Sequence, residues 1–113
     1  MKIITEKTDV GLIIRPEGRL DSITVSEFEK EVMLLIQQST LNVLIDFEKL
    51  VYISSAGLRI LIIIAKDLKK KEKKLALCAL NETIKEVFHI SELDTIISIF
   101  PTIEDGLISL GIK

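Results

Sequence analysis

Apolar residues recur along this chain with two different periods, and the switches between them divide it into elements. Met1-Lys2-Ile3-Ile4-Thr5-Glu6-Lys7 reads as an edge strand, followed by a turn at Thr8-Asp9. Gly11-Leu12-Ile13-Ile14-Arg15-Pro16 reads as a second strand, paired with the first in a hairpin. Pro16 has no amide donor, so this strand should end or lie at an edge there. Gly18-Arg19-Leu20-Asp21 is then expected to carry the chain out of the sheet. Between Ser22 and Ser39 the period changes: Val25, Phe28, Val32, Leu35 and Ile36 recur at three- and four-residue steps and form one apolar face of a helix. Ser22 or Thr24 could open that helix, and Ser26 with Glu29 could cap it locally. Thr40-Leu41-Asn42 ends it, and Val43-Leu44-Ile45-Asp46-Phe47 reads as a central strand buried on both faces.

The next segment is ambiguous by propensity, because Ile60-Leu61-Ile62-Ile63-Ile64 could pass for a strand. Two serines at its start, helical spacing through Ala65 and Leu68, and its length all favour a helix from about Ser55 to Lys70. Leu75–Leu80 reads as another central strand, and Asn81 caps a helix carrying Ile84, Val87, Phe88 and Ile90. Thr95–Phe100 reads as a last strand stopped by Pro101, and Thr102–Asp105 opens a terminal helix with Leu107, Ile108 and Leu110. The order β-β-α-β-α-β-α-β-α predicts an α/β fold: a mixed sheet of about five strands, parallel at its centre, covered by about four helices on one face or both.

Composition narrows this further. The chain has 113 residues, 48% of them hydrophobic and only 4% aromatic, so residues 1–113 form one domain with an aliphatic core. Fifteen basic against 17 acidic residues leave no footprint for direct nucleic-acid binding. The one basic run, Lys69-Lys70-Lys71-Glu72-Lys73-Lys74, reads either as a solvated helix end or as a docking patch for an acidic partner or lipid headgroup. The longest apolar run, Ile60–Ala65, is too short to span a membrane, and the start of the chain shows no signal-peptide pattern. The single cysteine, Cys78, lies in an apolar stretch, as a buried thiol in a reducing compartment would. A soluble cytoplasmic protein is the expectation.

Residues able to carry catalysis are few. His89 and Cys78 are too few for a His/Cys metal site, and His89 reads as a partly exposed helix-end residue. Ile53-Ser54-Ser55-Ala56-Gly57 lacks the glycine two places before the serine that a nucleophile elbow needs. Neither phosphate-cradling glycine motif is present, so no cofactor, metal or catalytic residue is assigned. What remains is a buried strand, a loop and a serine-rich helix start, from Asp46 to Arg59. Ser54 or Ser55 could simply accept hydrogen bonds from the first free amides of the helix. The same geometry would also accommodate a phosphate on Ser55, which meets unpaired amides and the positive end of the dipole. Gly57 would allow close approach of another backbone or of a large active site.

The segment resembles the signature of STAS domains, the module shared by sulfate transporters and anti-sigma factor antagonists. Gly18-Arg19-Leu20-Asp21 is similar to the family's G-x-L-D element, Val43–Phe47 to its apolar strand ending in aspartate, and Ile53–Leu58 to its phosphorylation loop. The resemblance implies partner switching by a non-enzymatic protein. Free antagonist binds an anti-sigma factor serine kinase and frees a sigma factor; phosphorylation by that kinase ends binding, and a PP2C-type phosphatase restores it. The phosphoacceptor falls on Ser55, with Ser54 as the alternative, and Ser54 stands where many antagonists have aspartate. Another client is the competing reading: a stressosome-like assembly, a lipid-transport component or a two-component pathway.

The helix following the serines predicts the rest of the partner surface. Leu58, Leu61, Ile62, Ala65 and Leu68 suffice to cover the sheet, leaving Ile60, Ile63 and Ile64 partly off that stripe. That apolar area either packs against the neighbouring helix or, as an accessible rim, joins Gly18–Asp21 and the Ser54–Gly57 loop in a docking patch. The expected contacts of that patch are Asp21, Ser54, Ser55, Ala56, Gly57 and Ile64.

Overall fold

The computed structural model describes residues 1–111. Its strands are β1 (Lys2–Lys7), β2 (Gly11–Leu20), β3 (Asn42–Asp46), β4 (Leu50–Ile53), β5 (Leu75–Cys78) and β6 (Ser98–Phe100). Its helices are α1 (Val25–Gln37), α2 (Ser55–Lys70), α3 (Glu82–Ile90) and α4 (Ile103–Ser109), with a 3-10 turn at Leu93–Thr95. The sheet runs β1-β2-β3-β5-β6, with β1 antiparallel to β2 and the other neighbours parallel.

Thr8 closes the β1–β2 hairpin. Its hydroxyl donates to the Gly11 carbonyl at 3.0 Å and accepts from the Gly11 amide at 2.9 Å. The central strands alternate between two cores, as a period-two backbone requires. Val43 and Ile45 join a large core with Phe28, Val32, Ile36, Leu61, Ile64, Ile84 and Phe88, so α1, α2 and α3 share one face. Leu44, Ala76 and Cys78 pack with Leu110 in a small core beneath α4 on the other face. The aromatic rings are used sparingly: Phe47 and Phe88 meet edge to face at 6.4 Å.

Three expectations need correction. β2 does not stop at Pro16, because its pairing with β3 ends at Ile14 and pairing with β4 begins at Gly18; the proline sits in the gap and costs no parallel ladder bond. Gly18, Arg19 and Leu20 therefore stay in the strand, and the chain leaves the sheet at Asp21. Leu50–Ile53 forms a sixth strand where the sequence pointed to a loop. At the other end, Leu93–Thr95 is a 3-10 turn and the last strand shrinks to Ser98–Phe100.

Candidate functional site

The ladder between β2 and β4 builds the site. Arg19 pairs with Tyr52 and Leu20 with Ile53, so the residue after β4 emerges beside the end of β2. The Ser54 amide donates to the Leu20 carbonyl at 2.9 Å, which anchors the start of α2 to that strand. Ser54 has extended backbone angles and is the N-cap; its hydroxyl accepts from the Gly57 amide at 3.4 Å, and its carbonyl accepts from Leu58 at 3.0 Å. The cap role thus falls to Ser54. Ser55, the next residue, is the first of the helix and is exposed. The amides of Ser55 and Ala56 stand in the first turn, where no intrahelical acceptor exists.

Gly57 is buried, and of its two expected roles it fills the first, the close approach of another backbone. A Cβ there would lie 2.7 Å from Ile53 Cγ1 and 2.9 Å from the Leu20 carbonyl oxygen. The glycine lets the helix lean on its own strands, and offers no room for an outside partner.

Ile64 also leaves the proposed surface. It is fully buried, whereas Ile63 is 41% exposed. The residues that α2 buries are Gly57, Ile60, Leu61, Ile64 and Leu68, a stripe rotated from the expected one. Leu58, Ile62 and Ala65 sit at its margins, half-buried. Arg59, Lys66 and Lys70 lie exposed opposite this stripe and mark its phase, which was missed because Gly57 makes the closest approach without adding an apolar side chain.

Asp21 stands at the same end of the sheet. Its Oδ1 accepts from the amides of Ile23 at 3.0 Å and Thr24 at 3.2 Å, and these backbone bonds hold its carboxyl below the ordinary carboxylate range. The carboxylate shapes the turn into α1, and the Thr24 hydroxyl closes it by accepting from the Asp21 amide at 3.0 Å and donating to the Arg19 carbonyl at 2.8 Å. Asp21 Oδ2 lies 3.5 Å from Arg19 Nε, and the Arg19 guanidinium rests 4.1 Å above the Tyr52 ring. Ile23 is 87% exposed and Val51 62% exposed on neighbouring segments. Arg19 fell within the expected Gly18–Asp21 part of the patch, but sequence reasoning missed Ile23, Val51 and Tyr52, the last two because they lie on the unpredicted β4.

Below this end, Asp46 is the one charged residue buried with the core among the described residues. Its Oδ1 accepts from the Glu48 amide at 3.0 Å and fixes the β3–β4 turn, while Arg15 Nε lies 3.5 Å from Oδ2. Burial, and then the Asp46 charge, push the neighbouring Cys78 thiol up to about 12, so it stays protonated and unreactive. His89 is exposed and meets Asp94 at 3.2 Å. Among the described residues no helix is long and apolar enough to cross a membrane.

A family model described as STAS domain matches residues 2–106. Over 101 residues the chain is 37% identical to BtrV of Bordetella bronchiseptica, named as a candidate anti-sigma factor antagonist; the match covers 89% of this chain and 84% of that protein. The crystal structure of a candidate anti-sigma factor antagonist from Thermotoga maritima superposes with a TM-score of 0.89 at 22% identity, covering 96% of this chain and 94% of the other. The Bacillus cell fate determinant SpoIIAA in its phosphorylated form superposes with a TM-score of 0.73 at 22% identity, covering 94% and 96%.

Proposed function

Because the chain belongs to the STAS domain family, we propose that it acts as an anti-sigma factor antagonist, a protein-binding switch rather than an enzyme. In its free form it binds an anti-sigma factor serine kinase and so releases a sigma factor. The kinase moves a phosphoryl group from ATP to the Ser55 hydroxyl, which ends binding, and a PP2C-type phosphatase hydrolyses the phosphoserine. The names of the relatives support this reading at family level.

One observation carries the assignment within the site: the two serines have different jobs. Ser54 is engaged as the cap, and Ser55 is exposed in the first turn with nothing structural to give up. A phosphate there adds about −1.5 to −2 charge. The helix dipole and the free amides of Ser55 and Ala56 tolerate it, so the domain keeps its fold. A partner seated on Asp21, Ile23, Tyr52 and Ser55 would have to desolvate that charge, which is strongly unfavourable.

Co-expression with the cognate kinase, intact-mass spectrometry and calorimetric titration test the proposal. Ser55→Ala should keep binding and take up no phosphate, while Ser55→Asp should weaken binding by about tenfold or more. A single phosphate retained in Ser55→Ala moves the acceptor to Ser54.

A further inference from the structure

The opposite pole of α2 carries an unassigned cleft of about 350 Å³, within the range of ligand pockets. Lys69, Lys73 and Lys74 line it, over apolar walls that include Ile96, Phe100 and Leu110. No acidic side chain lines it among the described residues. The helix between the poles has 16 residues, so the cleft lies about 24 Å from Ser55 along the helix axis.

The lysine run is not uniform. Lys71 is tied into the fold: its Nζ donates to the Ile36 carbonyl at 3.2 Å and lies 3.6 Å from Asp67. Lys69, Lys73 and Lys74 have no ion pair among the described residues, and Lys73 is half-buried nonetheless. Their backbone is held in place. The Lys71 and Lys73 amides both donate to the Leu68 carbonyl, at 3.0 and 2.8 Å, and Glu72 takes a left-handed conformation with φ 60°. The Lys74 amide donates to Asn42 Oδ1 at 2.9 Å. Helix-end lysines alone would satisfy the dipole from solvent. Lys73 and Lys74 lie beyond the helix, and with Lys69 they surround a cleft whose walls are part apolar, with Ser98 and Ser109 among its lining.

We propose that this cleft docks an acidic segment of a partner protein through one inserted apolar side chain, independently of the state of Ser55. The three uncompensated cations call for carboxylates, and their fixed backbone lowers the ordering cost of binding. The apolar walls give a hydrophobic side chain somewhere to go. A flat bilayer cannot enter a concavity of this kind, and a phosphodiester backbone has no use for its apolar floor.

The probe is the fluorescein-labelled peptide Glu-Glu-Leu-Phe-Glu-Glu, titrated into the full chain by anisotropy and mapped by amide chemical shifts. Saturable binding is expected, with shifts at Ile96, Ser98 and Phe100 and affinity falling as salt rises. The triple variant Lys69→Glu, Lys73→Glu, Lys74→Glu should weaken it by about tenfold or more, and the single variant Lys73→Gln gives a milder loss should the triple variant fold poorly. Ser55→Asp should leave peptide affinity unchanged, which separates this site from the kinase-binding reading. Absence of saturable binding overturns the proposal, as does equal affinity for Glu-Glu-Ser-Ser-Glu-Glu. So does preferential binding to phosphatidylserine vesicles or to oligothymidylate, or a shift map centred on Ser54–Gly57.

Discussion

The two ends of α2 are built in opposite ways. At its start the helix presses on β2 and β4 through Gly57, is capped by an uncharged serine, and carries no charge before Arg59. At its end it closes in lysines whose backbone is locked by three hydrogen bonds to Leu68 and Lys69. Between them Ile60, Leu61, Ile64 and Leu68 are buried and make the helix a stiff strut. An added phosphate therefore has contrasting meanings at the two poles. At Ser55 it introduces charge into a helix turn that has none of its own, whereas at the lysine end it would only neutralise charge already present. A switch based on charge belongs at the neutral, tightly packed end.

The strut is broken most severely at Ile64. Ile64→Lys puts a cation into a dry core without a partner, at a cost of several kcal/mol. Total stability of such a domain is about 5–15 kcal/mol, so the cooperative urea transition followed by circular dichroism should be lost or strongly shifted. Ile63→Lys, one residue away and 41% exposed, should stay within about 0.5 kcal/mol of the parent. A normally folded Ile64→Lys variant would return that residue to the surface.

This pair also marks where the sequence was legible. The limits of α2 could be read because Ser54-Ser55 stands between a strand pattern and a helical one, and the structure starts the helix at Ser55. Its rotation was legible too, because Ser55, Arg59, Lys66 and Lys70 share one exposed face opposite the buried stripe. Ile62, at the margin of that face, drew the expected stripe off the buried one. β4 was hidden for a different reason: Leu50 and Ile53 point inward while Val51 and Tyr52 are exposed, so four residues give no clean alternation. With β4 unseen, the Arg19–Tyr52 contact and the strand role of Gly18–Leu20 could not be inferred. The cap at Ser54 or Ser55 was accessible from local chemistry, because capping depends on neighbours in sequence, whereas Asp21 entered through the G-x-L-D resemblance.

A smaller break comes at Gly57. The added methyl of Gly57→Ala would meet the Leu20 carbonyl oxygen at 2.9 Å, and that backbone atom cannot rotate away. Overpacking of this kind costs about 1–3 kcal/mol. A lower urea midpoint, with amide shifts at Leu20 and Ser54, is the expected result. An unchanged midpoint would mean that α2 is less firmly seated than the geometry implies.

Cys78 tests the small core beneath α4 in the same terms. Its ordinary thiol value is 9.0 and the folded value is about 12. Folding therefore retains a proton that the unfolded chain releases as the pH rises above 9.0. Stability associated with the thiol is fully present below that pH and falls as it rises, by about 1.4 kcal/mol per unit. Urea midpoints measured from neutral to alkaline pH should show this slope in the parent and lose it in Cys78→Ala. Parallel profiles for the two would place the thiol in water.

The smallest effect discriminates most sharply between the two serines. Ser54 holds the Gly57 amide and Ser55 holds nothing in the fold, although both are serines at the start of one helix. Ser54→Ala should cost about 0.5–2 kcal/mol through the lost cap, while Ser55→Ala should lie within about 0.5 kcal/mol of the parent. Ser54→Asp should restore the lost stability, because a carboxylate accepts the same amide and complements the dipole. Ser55→Asp should be equally harmless to folding, yet it is the variant that should release the partner. Stability and binding then dissociate across adjacent residues: one hydroxyl is needed by the fold and the other is free to be modified. Equal losses of stability in the two alanine variants would show that the hydroxyls share the cap, and Ser55 would no longer be the free one.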